Sequence, residues 1–282
     1  MCDEGRHGYH YLNSKVRFSR TVQRVPDGAT TKWQPTPYVQ SVAKLNEEWK
    51  LRATAKPDGV WVTISPFLTV EEAYLVAKFA KQLSSKATLV LGHVPFVGED
   101  DQFPKDRRGN VKQPAKFTIR AEKAPNRRGV EEVLKKLQGE IIPLARLNDA
   151  IQQGKVESLI WTGGYPSTEL LAGQALTSLE RVPFLVATSL FADAITAHAH
   201  WVVPSAGFTE KDGTFVNHGD LAQCLKKATQ SPGEARSEGQ LFHDLLGRNG
   251  LFRSDLVRTE LAKEIPFFSK LPAIVPENGI KL

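Results

Sequence analysis

Cysteine is scarce in this sequence. The 282 residues include only Cys2 and Cys224, which lie far apart along the chain. Two such distant thiols exclude a disulfide framework, and the sequence has no C-x-x-C pair to hold a zinc ion or a complete iron–sulfur cluster. We therefore expect no metal site and no cofactor in the isolated chain.

Long apolar runs are also missing. No stretch approaches the roughly 20 apolar residues that a membrane-spanning helix requires, and the first residues are charged, unlike a secretory signal. The composition, 41% hydrophobic and 24% charged, is typical of a globular protein. These features predict a cytoplasmic protein, which would reach the cytoplasmic face of the inner membrane only through partner subunits.

Positive charge exceeds negative charge, with a formal net charge of +6. Much of the excess lies between Lys105 and Lys136, without the series of interleaved aromatic side chains that stacks on nucleic-acid bases. The pattern favours a solvated or protein-contacting surface, and the arginines expected to contact a partner are Arg107, Arg108, Arg127 and Arg128. Nucleic-acid binding is an alternative that rests on charge alone.

From Lys56 onward, strand-like and helix-like segments alternate. Residues 59–65 are β-branched and aromatic, which predicts a buried strand, and Thr69 with Glu72 predicts a capping box at the start of the next helix. Further strands are predicted over 87–94, 158–162, 183–190 and 200–206, and further helices over 130–138, 144–153 and 191–199, with another following Gly164.

This alternation predicts the α/β class, with a Rossmann-like, doubly wound parallel sheet covered on both faces. We assign residues 56–250 to that domain, residues 1–55 to an extended N-terminal arm, and residues 251–282 to a C-terminal tail that wraps over a surface. The polar stretch 98–129 is too long for a connector and predicts an ordered excursion or an interaction loop.

Two loops are candidates for ligand binding. Gly163 and Gly164 lie between a strand and a helix, where glycines let backbone N–H groups approach a phosphate. The stretch matches no complete nucleotide fingerprint, so the residues themselves favour a plain tight turn over a nucleotide-type site. Residues 207–223 follow a strand end and contain the second set of candidates, namely Asp212, Gly213, Thr214 and Asn217.

His198 and His200 are two residues apart, so on a strand they would share a face, as a metal pair does. No third ligand lies nearby in the sequence, which favours structural histidines. The residues themselves identify no catalytic group.

Four stretches together resemble one family. They are CDEGRHGY near the start, KAPNRRGVEEV, IQQGKVESLIWTGGYP, and ADAITAHAHWVVPSAGFTEKDGTFVNHGD followed by PGEARSEGQLF. These resemble the molybdopterin oxidoreductase superfamily, and especially the C-terminal part of the large iron–sulfur subunit, the G subunit, of NADH:quinone oxidoreductase. The last two motifs, including the loop that ends in E-K-x-G-T-x-x-N, are specific in combination, and the first is less so.

The resemblance implies a role for Cys2. In the family, the cysteine of C-D-x-G-R-x-G-Y follows several others that complete the ligands of a cluster. Cys2 would then be the orphan last ligand of a 4Fe-4S cluster. Either the chain is a fragment or split-gene product whose partner supplies the other thiolates, or the gene has kept the fold and shed the metal.

Two departures from the family bear on molybdenum. Where many relatives have an Ala-Asp pair, this chain has His-Ala-His-Trp at residues 198–201. Where relatives continue Asn-x-Glu-Gly-Arg, it has Asn-His-Gly-Asp-Leu at residues 217–221. The arginine that would meet the pyranopterin phosphate is absent. A molybdopterin cofactor would therefore have to be shared with a partner chain.

The resemblance implies a structural and docking subunit of an electron-transfer complex similar to NADH:quinone oxidoreductase, with the redox chemistry on partner chains. The isolated chain is then not catalytic, and its partners are other subunits of that complex. The alternative is one part of a molybdopterin-dependent, formate-dehydrogenase-like oxidoreductase that another polypeptide completes.

Overall fold

The computed structural model describes residues 8–168 and 178–282. One sheet contains seven strands, namely β1 Val22–Asp27, β2 Thr30–Pro35, β3 Val60–Ile64, β4 Thr88–Leu91, β7 Ser158–Trp161, β8 Phe184–Ser189 and β9 Trp201–Pro204. Their order in the sheet is β2-β1-β9-β8-β7-β3-β4. The predicted strands are confirmed, each one to four residues shorter than expected.

Five neighbouring strands of this sheet are parallel to one another, as predicted, namely β4, β3, β7, β8 and β9. The chain passes from β3 to β4 on one side, then crosses back to β7 and continues outward through β8 to β9. The strand order therefore reverses between β3 and β7. Ligands of doubly wound sheets bind at the carboxyl ends of the strands on either side of such a reversal, which we call the switch point.

Helices cover both faces of the sheet. On one face lie α1 Tyr38–Ala55, α2 Val70–Leu83, α3 Arg127–Gln138, α5 Glu238–Leu245 and α6 Ser254–Glu264, and on the other lies α4 Leu144–Gln152. Successive strand residues point to opposite faces, so Ile160 packs with the first group while Leu159 and Trp161 pack with the second. Among the described helices, none has the length and apolarity needed to cross a membrane.

Residues 22–55 differ from the expected extended arm. The hairpin β1–β2 extends the sheet, because Val22 pairs antiparallel with Val202 of β9. The helix α1 follows, with Leu45 and Trp49 buried and the Trp49 ring 5.3 Å from that of Phe79. The buried positions form a narrow stripe among many polar residues, so the sequence pattern does not predict this helix.

The C-terminal tail wraps over the domain after residue 266, where Phe268, Leu271 and Val275 are buried. Its last strand, β12 Ile280–Lys281, pairs with β11 Leu221–Leu225. The strand β10 Gly213–Val216 pairs with the other edge of β11, so that a small sheet of three strands results.

The excursion after β4 is ordered by the short antiparallel pair β5 Asp101–Phe103 and β6 Phe117–Ile119. The next basic pair corrects an expectation, because Arg127 and Arg128 are engaged within the chain itself. Arg127 pairs with Glu122 at 3.0 Å, and Arg128 pairs with Asp220 at 2.6 Å. These two arginines stabilise the start of α3 and do not form a free surface.

Two predicted helices have different outcomes. Residues 191–199 contain only a 3₁₀ turn, Thr196–His198, where the predicted helix was expected. The carboxylate of Asp193 accepts from the N–H of Thr196, and the backbone N–H of Asp193 donates to the Thr196 hydroxyl. The helix predicted after Gly164 falls on residues outside the described part of the chain.

Candidate functional site

The switch point begins where β3 and β7 end. The hydroxyl of Thr162 accepts from the N–H of Ser65 at 2.9 Å and donates to the carbonyl of Thr63 at 2.7 Å. The hydroxyl of Thr63 in turn accepts from the N–H of Thr162 at 3.2 Å. Side-chain hydrogen bonds thus fasten the two strands together at the position where they would otherwise diverge.

The predicted glycine turn follows directly. The N–H of Gly163 donates to the hydroxyl of Thr188 at 3.1 Å, and a Cβ on Gly163 would lie 2.2 Å from the carbonyl oxygen of Thr188. Gly164 has a φ of +85°, in the left-handed region that favours glycine. Tight packing between β7 and β8 therefore requires the first glycine, and the turn geometry requires the second.

The capping box predicted at the start of α2 is present. The hydroxyl of Thr69 accepts from the N–H of Glu72 at 3.2 Å, and the Glu72 carboxylate accepts from the N–H of Thr69 at 2.8 Å. The same carboxylate oxygen accepts from the ammonium of Lys211 at 2.8 Å, and Lys211 also reaches the carbonyl of Phe67. The loop containing Lys211 is therefore fastened to the carboxyl edge of the sheet.

Lys211 is buried, with 3% of its surface exposed. Burial opposes its charged form and is the largest single influence, but the carboxylates of Glu72, Glu238 and Glu210 together outweigh it, so that the pKa of Lys211 is raised above its usual range. The second oxygen of Glu72, Oε1, has no hydrogen-bond partner among the described residues.

Thr214 forms a second buried connection to the same helix. Its N–H and its hydroxyl donate to the two carboxylate oxygens of Glu71, each at 2.8 Å. The guanidinium of Arg258 donates to Glu71 at 2.8 Å and to the Thr214 hydroxyl at 2.9 Å. Helix α6 therefore holds β10 against the start of α2.

A third buried ion pair connects the N-terminal segment to this edge. Arg17 binds both carboxylate oxygens of Glu210, at 2.6 and 2.7 Å, and donates to the carbonyl of Leu12 at 2.8 Å. Glu210 also accepts from the N–H of Gly207 at 2.8 Å.

Glu238 is a buried carboxyl to which no cationic side chain of the described residues donates a hydrogen bond. Its Oε1 accepts from the hydroxyls of Thr188 at 2.9 Å and Ser205 at 2.6 Å, and its Oε2 has no hydrogen-bond partner within the described ranges. Burial raises the pKa of Glu238 above its usual range, although Lys211 acts in the opposite direction. This carboxyl therefore keeps its proton to a higher pH than an exposed glutamate.

The structure brings four of the predicted residues to the same edge. Gly163 and Gly164 adjoin the loop 65–69, since a Cβ on Gly164 would meet Phe67 at 3.6 Å. Gly213 adjoins the same loop, because a Cβ there would lie 2.4 Å from Thr69. Thr214 follows Gly213 in β10 and donates hydrogen bonds to Glu71 at the start of α2.

The other candidates are placed differently. Asn217 lies at the tip of the β10–β11 hairpin, where its side-chain oxygen accepts from the N–H groups of Gly219 and Leu221 at 2.8 and 3.0 Å. Asp212 accepts from the N–H of Lys227 at 3.0 Å, at an exposed position. Cys2 lies outside the described residues.

The two histidines do not form a metal pair. His200 accepts from the N–H of Leu185 through Nδ1 at 3.1 Å, and burial lowers its pKa. His198 belongs to the 3₁₀ turn that precedes it. Across residues 8–168 and 178–282, no group of three His, Cys, Asp or Glu side chains is arranged to hold a metal ion.

These contacts test whether the predicted residues fit a pyranopterin cofactor. The N–H of Gly163, both donors of Thr214 and the side-chain oxygen of Asn217 are already engaged within the chain. The space that Gly213 leaves open is filled by Thr69. In this arrangement the predicted residues do not fit the cofactor, and we derive no chemistry through it.

Sequence reasoning missed most of this buried network. Arg17, Glu71 and Arg258 are far along the chain from the side chains that they bind, with Glu210 193 residues from Arg17 and Thr214 143 residues from Glu71. No local spacing could indicate such pairs. Glu238 lies within the quoted stretch PGEARSEGQLF, and that resemblance was the one available signal.

A separate groove of about 510 Å³ opens where α2 and α3 end. Its charged lining residues are Lys78, Lys81, Lys136, Arg248 and Glu264. Lysines at this position suit helix C-termini, and Lys78 is paired with Glu264 at 3.1 Å. The groove lies roughly 15 Å along α2 from the switch point and contains no predicted site residue.

Comparison with known protein families matches one region of the chain. Residues 132–248, which include both glycine loops and Asn217, match the family model described as molybdopterin oxidoreductase. That region of the chain is therefore similar to the molybdopterin oxidoreductase family, and the resemblance stated from the four stretches is confirmed at this level.

Two curated relatives refine the comparison. The NADPH-Fe(3+) oxidoreductase subunit alpha of Geobacter sulfurreducens is 24% identical over 180 residues, 60% of this chain and 21% of that protein. The G subunit of the NADH-quinone oxidoreductase of Rickettsia felis is 29% identical over 102 residues, 35% of this chain and 15% of that protein. The aligned regions are thus about a fifth or less of these relatives, and both relatives are named as subunits of oxidoreductases.

The fold is also that of a solved structure. Acetylene hydratase from Pelobacter acetylenicus superposes with a TM-score of 0.61 over 95% of this chain and 67% of the other, at 11% sequence identity. At that identity the likeness extends to the fold alone.

Proposed function

We propose that this chain is a structural and docking subunit of an electron-transfer complex, similar in role to part of the G subunit of NADH:quinone oxidoreductase, and that partner chains perform the redox chemistry. The observation that carries the proposal is the buried pair Lys211–Glu72 at the switch point. The position at which doubly wound sheets bind ligands is occupied here by the chain's own side chains. A chain whose ligand-binding position is filled in this way contributes its shape and its contact surfaces to the complex.

The named relatives support an assembly. Both are designated as subunits, and a partner of this chain would accordingly be another redox subunit. In this proposal the chain is cytoplasmic and any membrane association is made by its partners. Cys2, if it ligates a 4Fe-4S cluster, does so together with thiolates of another polypeptide, since two distant cysteines are too few.

The test is affinity purification of the tagged chain from its own cells. We expect it to co-purify in stoichiometric amounts with chains that carry complete cofactor sites, and we expect the preparation to transfer electrons from NADH to a quinone. The chain separated from its partners should be colourless after anaerobic incubation with iron and sulfide. A chain that purifies alone and is active, or that alone assembles a stable cluster, would contradict the proposal.

The alternative is one part of a molybdopterin-dependent oxidoreductase completed by another polypeptide. The match of residues 132–248 to the family model favours it. Under this alternative the purified complex contains molybdenum or tungsten at an interface to which this chain contributes, and the switch point must open when the partner binds.

A further inference from the structure

The excursion after β4 presents an apolar face that the rest of the described chain, residues 8–168 and 178–282, leaves uncovered. We call residues 95–123 the basic hairpin. In the pairing of β5 with β6, Asp101 lies opposite Ile119 and Phe103 lies opposite Phe117. Alternation along each strand therefore places these four side chains on one face of the hairpin. Phe117 and Ile119 are 58% and 40% exposed.

The face is shaped by stacked rings. The rings of Phe103 and Phe117 are 5.1 Å apart with an interplanar angle of 8°. Phe96 and Val97, at the base of the hairpin, add two more exposed apolar side chains. A two-stranded sheet alone is only marginally stable, and clustered exposed apolar side chains are typical of interaction sites.

The loop between the two strands supplies the charge. Four exposed cations lie in it and form no ion pair within the described residues, namely Arg107, Arg108, Lys112 and Lys116. The one carboxylate in the loop, that of Asp106, accepts from backbone N–H groups, and nearby Asp100 pairs with Arg120. The unpaired charge of the loop is therefore positive and faces solvent.

We propose that the basic hairpin docks onto a partner subunit of the complex, with Phe117 and Ile119 in an apolar contact and carboxylates of the partner paired with the loop cations. The proposal rests on the proposed function and names the surface through which it operates. An apolar centre with a charged rim is the usual anatomy of a protein interface, and arginine binds carboxylates with two parallel hydrogen bonds.

The observations favour an acidic protein over the other occupants. A second copy of this chain would bring the same cations together, and the chain has a net charge of +6. A lipid surface would have to accept Asp101, which shares the apolar face and is held there by an ion pair with Lys105. A carboxylate on the contacting face is costly to bury in lipid but can be hydrogen-bonded by a protein.

The experiment uses a photo-crosslinking amino acid at Phe117 of the full chain in its own cells, with mass spectrometry of the product. We expect one dominant product, an electron-transfer subunit linked through an acidic surface segment. The matched control places the same amino acid at Leu51 on α1, which is 69% exposed, and should give no such product.

Charge variants complete the test. Arg107→Glu with Arg108→Glu should lower the cross-link yield about tenfold. Arg107→Lys with Arg108→Lys should retain most of the yield. The thermal midpoint of the purified chain should be unchanged in both variants, because neither arginine makes an ion pair within the described residues.

The remaining outcomes overturn the inference. Cross-linking of Phe117 mainly to a second copy, to nucleic acid or to lipid would do so, as would an unchanged yield in the Glu variant. If the chain co-purifies with redox subunits but Phe117 links to none of them, the proposed function stands and the docking surface is wrong. If no partner co-purifies at all, both are wrong.

Discussion

Lys211 retains its charge although almost none of its surface reaches solvent. A buried ion pair adds little stability relative to an apolar pair, but removing one member leaves an uncompensated buried charge. Without Lys211, Glu72 would carry such an uncompensated charge, since its other carboxylate oxygen already has no hydrogen-bond partner in the described part of the chain.

Lys211→Met should therefore lower the free energy of unfolding by about 3–5 kcal/mol. Adding Glu72→Gln to this variant should recover part of the loss, because glutamine keeps the capping box and removes the charge. Urea unfolding of the three proteins measures both effects. Lys226→Met, at an exposed position of the same region, is the control and should change stability by less than about 0.5 kcal/mol. A similar small change in Lys211→Met would refute this account of the pair.

The raised pKa of Glu238 makes the free energy of unfolding depend on pH. Because its pKa is raised in the folded state, the unfolded chain releases this proton first as the pH rises. The stabilisation from Glu238 is complete below the ordinary glutamate pKa of about 4.3 and is lost as the pH rises toward the folded pKa.

Glu238→Gln cannot titrate, so its stability relative to wild type should increase as the pH rises from about 5 to about 8. The Oε1 contacts with Thr188 and Ser205 can be kept by the amide oxygen. Urea unfolding at several pH values gives the difference, and a difference that is constant or falls with pH would show that Glu238 is ionised in the folded chain.

Among the elements, the turn after β7 is closely constrained by the backbone of β8. Gly163→Ala would place a Cβ against the backbone of Thr188, which cannot move without disturbing β8. We expect a loss of about 1–3 kcal/mol in the free energy of unfolding.

Gly219→Ala is the matched control for this turn. Its Cβ would come no closer than 3.4 Å to Asn217, and its φ is not positive, so the loss should be below about 1 kcal/mol. Thermal unfolding of both variants makes the comparison. Equal losses in the two variants would mean that packing between β7 and β8 is not what selects the first glycine.

The elements also show where sequence reasoning succeeded. The strands β3, β7 and β8 are short, continuous apolar runs bounded by polar or turn-forming residues. Such a run predicts a strand buried on both faces, which is what the structure shows. The helix α2 was predictable from Thr69 and Glu72 because capping is a local interaction. The helix α1 was not, since its stability comes from Leu45 and Trp49 packing against distant elements.

At the scale of the whole molecule, the parallel sheet followed from alternating elements and right-handed crossovers, but the state of its ligand-binding edge did not. The glycine turns were predicted at the correct edge. Whether they would be open or filled depended on Lys211, Arg17 and Arg258, whose partners lie more than a hundred residues away along the chain. Long-range ion pairs leave no local pattern.

The central claim is that the switch point of this chain is closed by its own side chains, and we therefore expect it to hold no pterin cofactor. The most direct measurement is the molybdenum, tungsten and pterin content of the chain, purified from its own cells and separated from its partners under mild conditions. The account predicts background amounts of all three. A pterin and a metal in equal amounts with the chain would contradict it.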